Sequence, residues 1–300
     1  MISVGIFNGY YPYTLSETIA KIQKDGFSCV QLDLSFKDMD LSLDSLTREK
    51  AHQIRDAFRE ANLPVVCISG YTNIIHPDPR KRAENIEGLK TLLKFARDLG
   101  SPYVISETGT YNTESDWVWD PKNGTEEAYE AVCGELESLA KFAYDHGSMF
   151  LVENYVNNVI GSVDQLTRLF SDVNHPGLGL LMDPTNYFTE KNINQIDEEL
   201  NRIFNTLGDK IKIAHAKDCK PAVDTSEKHA AIDAAESHTF RGAGGVELPA
   251  PGLGILNYDL YLQRLSKLHP NIPIIIEHLD EQDIPRAKRF LDGKLKENGC

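Results

Sequence analysis

The chain has 300 residues, 41% of them hydrophobic, with a mean hydropathy of −0.35 and a formal net charge of −14. No apolar run approaches the ~20 residues of a membrane span, and the acidic field repels phosphate backbones with no Lys and Arg cluster to offset it, so neither membrane nor nucleic acid is an expected partner. The cysteines, Cys29, Cys67, Cys133, Cys219 and Cys300, are odd in number, widely spaced and free of any CxxC pair, which points to reduced thiols rather than a disulfide framework or zinc ribbon.

Met1-Ile2-Ser3-Val4-Gly5-Ile6-Phe7 lacks a basic n-region and a small-residue cleavage site, so it reads as a first strand, and a cytoplasmic location is expected. Thr14-Leu15-Ser16-Glu17 has the form of a capping box and opens a helix that ends near Asp25-Gly26. Cys29 to Leu34 is the second strand. Thr47 to Lys50 opens a helix with Ile54, Ala57, Phe58 and Ala61 at helical spacing, and Pro64 to Ile68 follows as the third strand. After a loop from Tyr71 to Pro79, a helix carries Ile86, Leu89, Leu93, Phe95 and Ala96 to Leu99-Gly100. Tyr103 to Ile105 then leads to Ser106-Glu107, the fourth strand, and a longer loop holds Trp117 and Trp119.

The second half repeats the unit. A helix from about Thr125 to His146-Gly147 precedes the fifth strand, a short one from Val163 to Phe170 the sixth, and one from Ile196 to Leu207 the seventh, which ends at His215. The stretch from about Lys220 to Gly254 breaks the rhythm, being rich in Gly, Ala and Pro and longer than an ordinary connection, so it is expected to act as an active-site loop or lid. Tyr258 to Leu268 resumes the helix, Pro273 to Glu277 is the eighth strand, and Ile284 to Leu295 closes the chain. Eight β-α units without a linker predict an α/β fold, a single (β/α)8 TIM barrel over residues 1–300 with a long loop after strand seven.

Four successive strands share one grammar. Met149-Phe150-Leu151-Val152 runs into Glu153, Leu178-Gly179-Leu180-Leu181-Met182 into Asp183, Ile211-Lys212-Ile213-Ala214 into His215, and Ile272-Pro273-Ile274-Ile275-Ile276 into Glu277. Unbroken apolar runs are the mark of buried parallel strands, and barrel strands turn their carboxyl ends toward one catalytic face. Glu153, Asp183, His215 and Glu277 therefore form a candidate metal set. Three carboxylates and one imidazole suit one divalent ion such as Mn²⁺, Mg²⁺, Co²⁺ or Zn²⁺, and the lack of thiolates argues against a structural zinc site. Beside that set, Lys217 can polarise a substrate oxygen or pair with its neighbour Asp218. Asp33 and Glu107 end strands two and four on the same face, as candidates for hydrogen bonding to substrate. His76, His238 and Arg241 lie in top-face loops, and Trp117 and Trp119 can stack on a ring of the substrate or pack their loop.

The motifs Val152-Glu153-Asn154, Met182-Asp183-Pro184-Thr185-Asn186, Ala214-His215-Ala216-Lys217-Asp218, Pro251 to Tyr258 and Ile276-Glu277-His278-Leu279 resemble those of the sugar phosphate isomerase/epimerase superfamily, the xylose-isomerase-like TIM barrels, over nearly the whole chain. The resemblance implies that Glu153, Asp183, His215 and Glu277 bind one divalent metal. It also implies that Glu153 and Glu277 move a proton beside a metal-bound carbonyl. Ketose 3-epimerases of the superfamily carry an Asp-x-x-His after strand six and an Arg beyond the strand-seven His. This chain has Asn186 at the first of these places, a candidate substrate contact, and Lys217 at the second. The expected function is a metal-dependent sugar isomerase or epimerase acting on a small-molecule carbohydrate. A lyase of the same barrel, dehydrating a keto-inositol or cleaving a 3-keto glycoside, uses the same enediolate. A non-catalytic sugar-binding subunit is a further alternative, and an apurinic-site endonuclease would need more barrel-end histidines and a different charge. A homo-oligomer is compatible with the sequence.

Overall fold

The computed structural model describes residues 1–222 and 245–300. Eight parallel strands close into a barrel: β1 (Ser3–Phe7), β2 (Cys29–Leu32), β3 (Val65–Ser69), β4 (Tyr103–Glu107), β5 (Met149–Glu153), β6 (Leu178–Met182), β7 (Ile211–Ala216) and β10 (Pro273–Ile276), with β10 pairing to β1 and β7. The helices α1 (Leu15–Lys24), α2 (Arg48–Glu60), α3 (Pro79–Phe95), α4 (Glu126–Asp145), α5 (Val163–Asp172), α6 (Ile196–Leu207), α7 (Tyr258–Leu268) and α8 (Ile284–Glu297) alternate with the strands. This is the α/β barrel that the alternation predicts. Strand seven runs one residue beyond His215, and the eighth barrel strand stops one residue short of Glu277.

Helix starts follow local chemistry. Thr14 completes a full capping box with Glu17, and Thr47, Asp78, Thr125, Ser162 and Asn257 accept from first-turn backbone N–H groups of their helices. No helix among the described residues is long and apolar enough to cross a membrane.

The barrel interior is what positions the site. Cys29, Cys67, Ile105, Leu151, Leu181, Ile213 and Ile275, one from each of seven strands, pack into one buried apolar layer. In β1 the matching residue is Gly5, in register with Cys29 and Ile275. A Cβ there would meet Ile275 Cδ1 at 2.6 Å and Cys29 Sγ at 2.7 Å, so the neighbours already fill its share of the barrel. Side chains alternate faces along a strand, so the residues two positions on form the next layer toward the carboxyl ends. Those residues are Gln31, Ser69, Glu107, Glu153, Asp183, His215 and Glu277. An apolar plug thus carries a polar floor.

Beyond β7 the chain forms a short antiparallel ladder between β8 (Lys220–Pro221) and β9 (Val246–Glu247). The expected lid falls largely on residues 223–244, which lie outside the described residues, as do His238 and Arg241.

Candidate functional site

Glu153, Asp183 and His215 come together at the carboxyl end of the barrel, each no more than 1% exposed, with ligand atoms all within 4.8 Å of one another. This triad can hold a metal ion. Glu277 joins it from just beyond β10, with Oε2 3.4 Å from His215 Nδ1, while Glu153 Oε1 lies 3.5 Å from the same nitrogen and Asp183 Oδ2 3.8 Å.

Each side chain is aimed by a local bond. Asp183 Oδ1 accepts from the Thr185 backbone N–H and from Thr185 Oγ1, both at 2.8 Å, which leaves Oδ2 facing the centre. Glu153 is held at both oxygens: Tyr71 OH donates to Oε2 at 2.6 Å and Asn186 Nδ2 to Oε1 at 2.9 Å. The His215 ring meets Gln31 Oε1 through Nε2 at 2.9 Å, and Gln31 Nε2 donates to Glu277 Oε1 at 3.1 Å. Behind the ring, Tyr261 and Tyr258 of α7 donate their hydroxyls to the carbonyls of His215 and Lys217.

At this centre His215 Nδ1 makes no directed hydrogen bond among the described residues, and Asp183 Oδ2 meets only the Lys217 ammonium. Buried polar atoms without partners are rare and mark a strained or liganded site. One imidazole lone pair and several carboxylate oxygens facing one point are donors that divalent ions accept, so the residues fit such an ion. Lys217 faces the same point. Its Nζ stands 2.6 Å from Asp183 Oδ2, 3.0 Å from Glu277 Oε2 and 3.7 Å from Glu153 Oε1. Pairing of Lys217 with Asp218, one of the two sequence readings, gives way to this cluster. Asp218 turns the other way and accepts backbone N–H bonds from Cys219, Gly252 and Leu256, each at 2.9 Å. A Cβ on Gly254 would lie 2.3 Å from Asp218 Oδ1, so the Pro251 to Gly254 turn wraps the carboxylate closely enough to need glycine.

The electrostatics follow from burial against charge. Burial opposes the Asp183 carboxylate, but the Lys217 ammonium and His215 outweigh it and hold Asp183 well below the usual range. Burial likewise opposes the ammonium of Lys217, and Asp183, Glu277 and Glu153 outweigh it, raising Lys217 further above its ordinary value. His215 is pushed up to about 10: burial works against its imidazolium, and the Glu277 and Glu153 carboxylates prevail. A proton and a divalent ion would therefore compete for Nδ1. Burial, reinforced by Glu153, pushes Glu107 well above the ordinary carboxyl range, and burial with the Glu153 charge keeps Tyr71 a protonated donor.

Other expected residues stand further off. Glu107 is in register with Glu153 and completes the polar floor. Asp33 is half-buried, joined by its backbone to Asn8, and lines a cleft of about 560 Å³ with Ser69 and Tyr71. His76 Nδ1 accepts from the Asp78 backbone N–H at 3.0 Å, a local turn at the start of α3. Trp117 packs edge-on against Tyr155 at 6.2 Å, which favours loop packing, and Trp119 is 48% exposed. Gln31, Ser69 and Tyr71 escaped sequence reasoning. Their signal was register: each sits a whole number of strand pairs beyond the apolar layer, without the charge that drew attention to its neighbours.

A family model described as the xylose isomerase-like TIM barrel matches residues 19–294. No curated protein sequence matches the chain. Among solved structures it is similar to a xylose isomerase domain protein from Planctomyces limnophilus, at 20% identity and a TM-score of 0.70, covering 99% of this chain and 97% of that one. It is also similar to an L-ribulose 3-epimerase, at 16% identity and a TM-score of 0.70, covering 100% and 96%. A xylose isomerase-like TIM-barrel protein from Mycobacterium smegmatis in complex with magnesium superposes with a TM-score of 0.69 at 14% identity, covering 100% and 97%. At these identities the likeness speaks for the fold alone.

Proposed function

This chain belongs to the xylose isomerase-like TIM-barrel family, and on that premise we propose that it is a divalent-metal-dependent enzyme that isomerises or epimerises a keto-sugar or sugar derivative by proton transfer next to a carbonyl. The observation that carries this reading is the convergence of buried ligand atoms of Glu153, Asp183 and His215 within 4.8 Å of one another, with Glu277 Oε2 3.4 Å from His215 Nδ1. Glu153, Asp183, His215 and Glu277 would hold the ion, with manganese the first candidate and magnesium, cobalt or zinc compatible with the same donors. When bound, such an ion supplies Lewis acidity that makes the C–H beside a carbonyl more acidic.

The chain's own groups do the rest. One of Glu153 and Glu277 takes the proton from the carbon next to the carbonyl. The other returns a proton, to the opposite face of that carbon in an epimerisation or to the neighbouring carbon in an isomerisation. Tyr71 and Asn186 fix the Glu153 carboxylate through its two oxygens, which orients it and weakens it as a base. Glu277 keeps one oxygen on Gln31 and turns the other to Lys217. Lys217, kept charged by the carboxylates, holds negative charge on a substrate oxygen as it develops. Five free cysteines suit a reducing compartment, and we assign the enzyme to the cytoplasm with a small carbohydrate as its partner.

The test is a screen of keto-sugars and 3-keto glycosides with Mn²⁺ in D₂O, read by NMR. Turnover should wash deuterium into the carbon next to the carbonyl, and Glu153→Gln and Glu277→Gln should each slow it about 10²–10⁴-fold. Turnover without solvent deuterium would mean a hydride shift in which neither glutamate is the base. A product lighter by a lost group would mean elimination by the same carboxylates.

A further inference from the structure

Gln31 is completely buried inside β2, in a strand whose every residue is buried, and a buried amide must place two N–H donors and an acceptor oxygen. All find partners. Its Nε2 donates to Glu277 Oε1 at 3.1 Å and to Ser69 Oγ at 3.2 Å, and its Oε1 faces His215 Nε2 at 2.9 Å with the Cys67 thiol at 3.6 Å. The orientation of the amide is decided by chemistry: turned over, its oxygen would stand against the Glu277 carboxylate and its NH₂ against the ring and the thiol. With the oxygen toward the ring, His215 Nε2 must carry the proton that makes the bond. The other nitrogen, Nδ1, is then the one left for a ligand, and it is the atom found orphaned toward Glu153, Asp183 and Glu277. A single amide therefore touches two of the four proposed ligands and sets how each presents itself.

We infer that Gln31 is a positioning residue for the metal centre, which fixes the His215 tautomer with Nδ1 toward the ion and ties that ring to Glu277. The inference rests on the proposed metal reading and adds to it the residue that decides which imidazole nitrogen binds. Outer groups of this kind orient ligands, and their loss typically weakens metal binding about 10–100-fold. Ser69 Oγ backs the amide from the neighbouring strand β3, so the support runs from β3 to β2 and then across the barrel interior to the ligands of β10 and β7.

The experiment uses the full chain, stripped of metal and titrated with Mn²⁺ by calorimetry, as wild type, Gln31→Leu and Gln31→Met. One ion should bind in all three, with the dissociation constant of both variants raised about 10–100-fold. A second readout needs no variant: long-range ¹⁵N–¹H spectra of wild type loaded with Zn²⁺, a diamagnetic probe, should show His215 Nε2 protonated and Nδ1 carrying the metal-bound shift. Affinity unchanged within about twofold in a folded variant overturns the inference, as does a ring bound through Nε2, and either leaves the metal reading standing. A wild type that binds neither ion overturns the metal reading and this inference together. Should both variants fail to fold, the ¹⁵N spectra of wild type decide alone.

Discussion

Replacing Lys217 by Met removes an ammonium and keeps an unbranched stem of similar girth. The side chain is 5% exposed and its Nζ stands within 4 Å of three carboxylates that are themselves 0–9% exposed, so solvent does little to screen the loss. Removing one partner of a buried pair costs about 3–5 kcal/mol, because the partner is left charged and buried. Against a total stability of about 5–15 kcal/mol, that is a fall in Tm on the order of 10 °C for a chain of this size. The sign with pH follows from Asp183, which is held low despite its burial chiefly by Lys217. Its share of stability is present above the ordinary aspartate value near ~3.9 and is lost as pH falls through the lower folded value. Without the ammonium most of that share is already missing at neutral pH, so Lys217→Met should lose less stability than wild type as pH falls below ~3.9, and the deficit between the two should narrow on the acid side. Scanning calorimetry in EDTA measures the deficit, and repeating it with Mn²⁺ should recover about 2.7 kcal/mol when the ion is at 100 times its dissociation constant. A variant within about 1 kcal/mol of wild type in EDTA, a figure below the range for a broken buried pair, would refute the view that the ammonium and the carboxylates support one another.

Four further substitutions separate site from scaffold. His215→Ala and Asp183→Asn should each lower both metal content and turnover, and elemental analysis that finds full stoichiometric metal in both would remove them from the ligand set. Asp218→Ala leaves the N–H groups of Cys219, Gly252 and Leu256 without their acceptor, a loss of about 3–6 kcal/mol at roughly 1–2 kcal/mol for each bond; urea denaturation with an unchanged midpoint would contradict it. Gly5→Ala forces a methyl against Ile275 and Cys29 and should cost about 1–3 kcal/mol in the same assay. Its Mn²⁺ affinity should equal that of wild type, since β1 supplies none of the candidate ligands.

The barrel was legible because its two periodicities differ so plainly. Runs such as Phe150-Leu151-Val152 can be buried on both faces only in a covered parallel sheet, and Ile54, Ala57, Phe58 and Ala61 recur at the helical spacing that packs onto one. Ends of elements moved by one or two residues where no chemistry marks them, as at α5, which runs to Asp172 rather than Phe170. Glu153, Asp183, His215 and Glu277 stood out because a charge or imidazole at the end of an apolar run is conspicuous. Gln31 and Ser69 occupy the same layer but are uncharged, and a polar residue within a strand gives no hint of its neighbours until barrel closure brings β2 and β3 round to β10 and β7.

Lys217 and Asp218 show where reading along the chain misleads. Adjacent opposite charges look like a pair, yet successive side chains of extended backbone point to opposite sides. From the inward residue Ile213, steps of two reach His215 and then Lys217, so the lysine must face the barrel axis and the three carboxylates gathered there. The same alternation sends Asp218 outward, where it accepts from the backbone N–H groups of Cys219 and of the Pro251 to Leu256 turn. Asp218 therefore shapes the rim and Lys217 the floor. A charge at an odd step from the apolar layer could not have joined the centre without breaking the strand, and that parity, applied to each strand in turn, also admits Gln31, Ser69 and Tyr71 to the site.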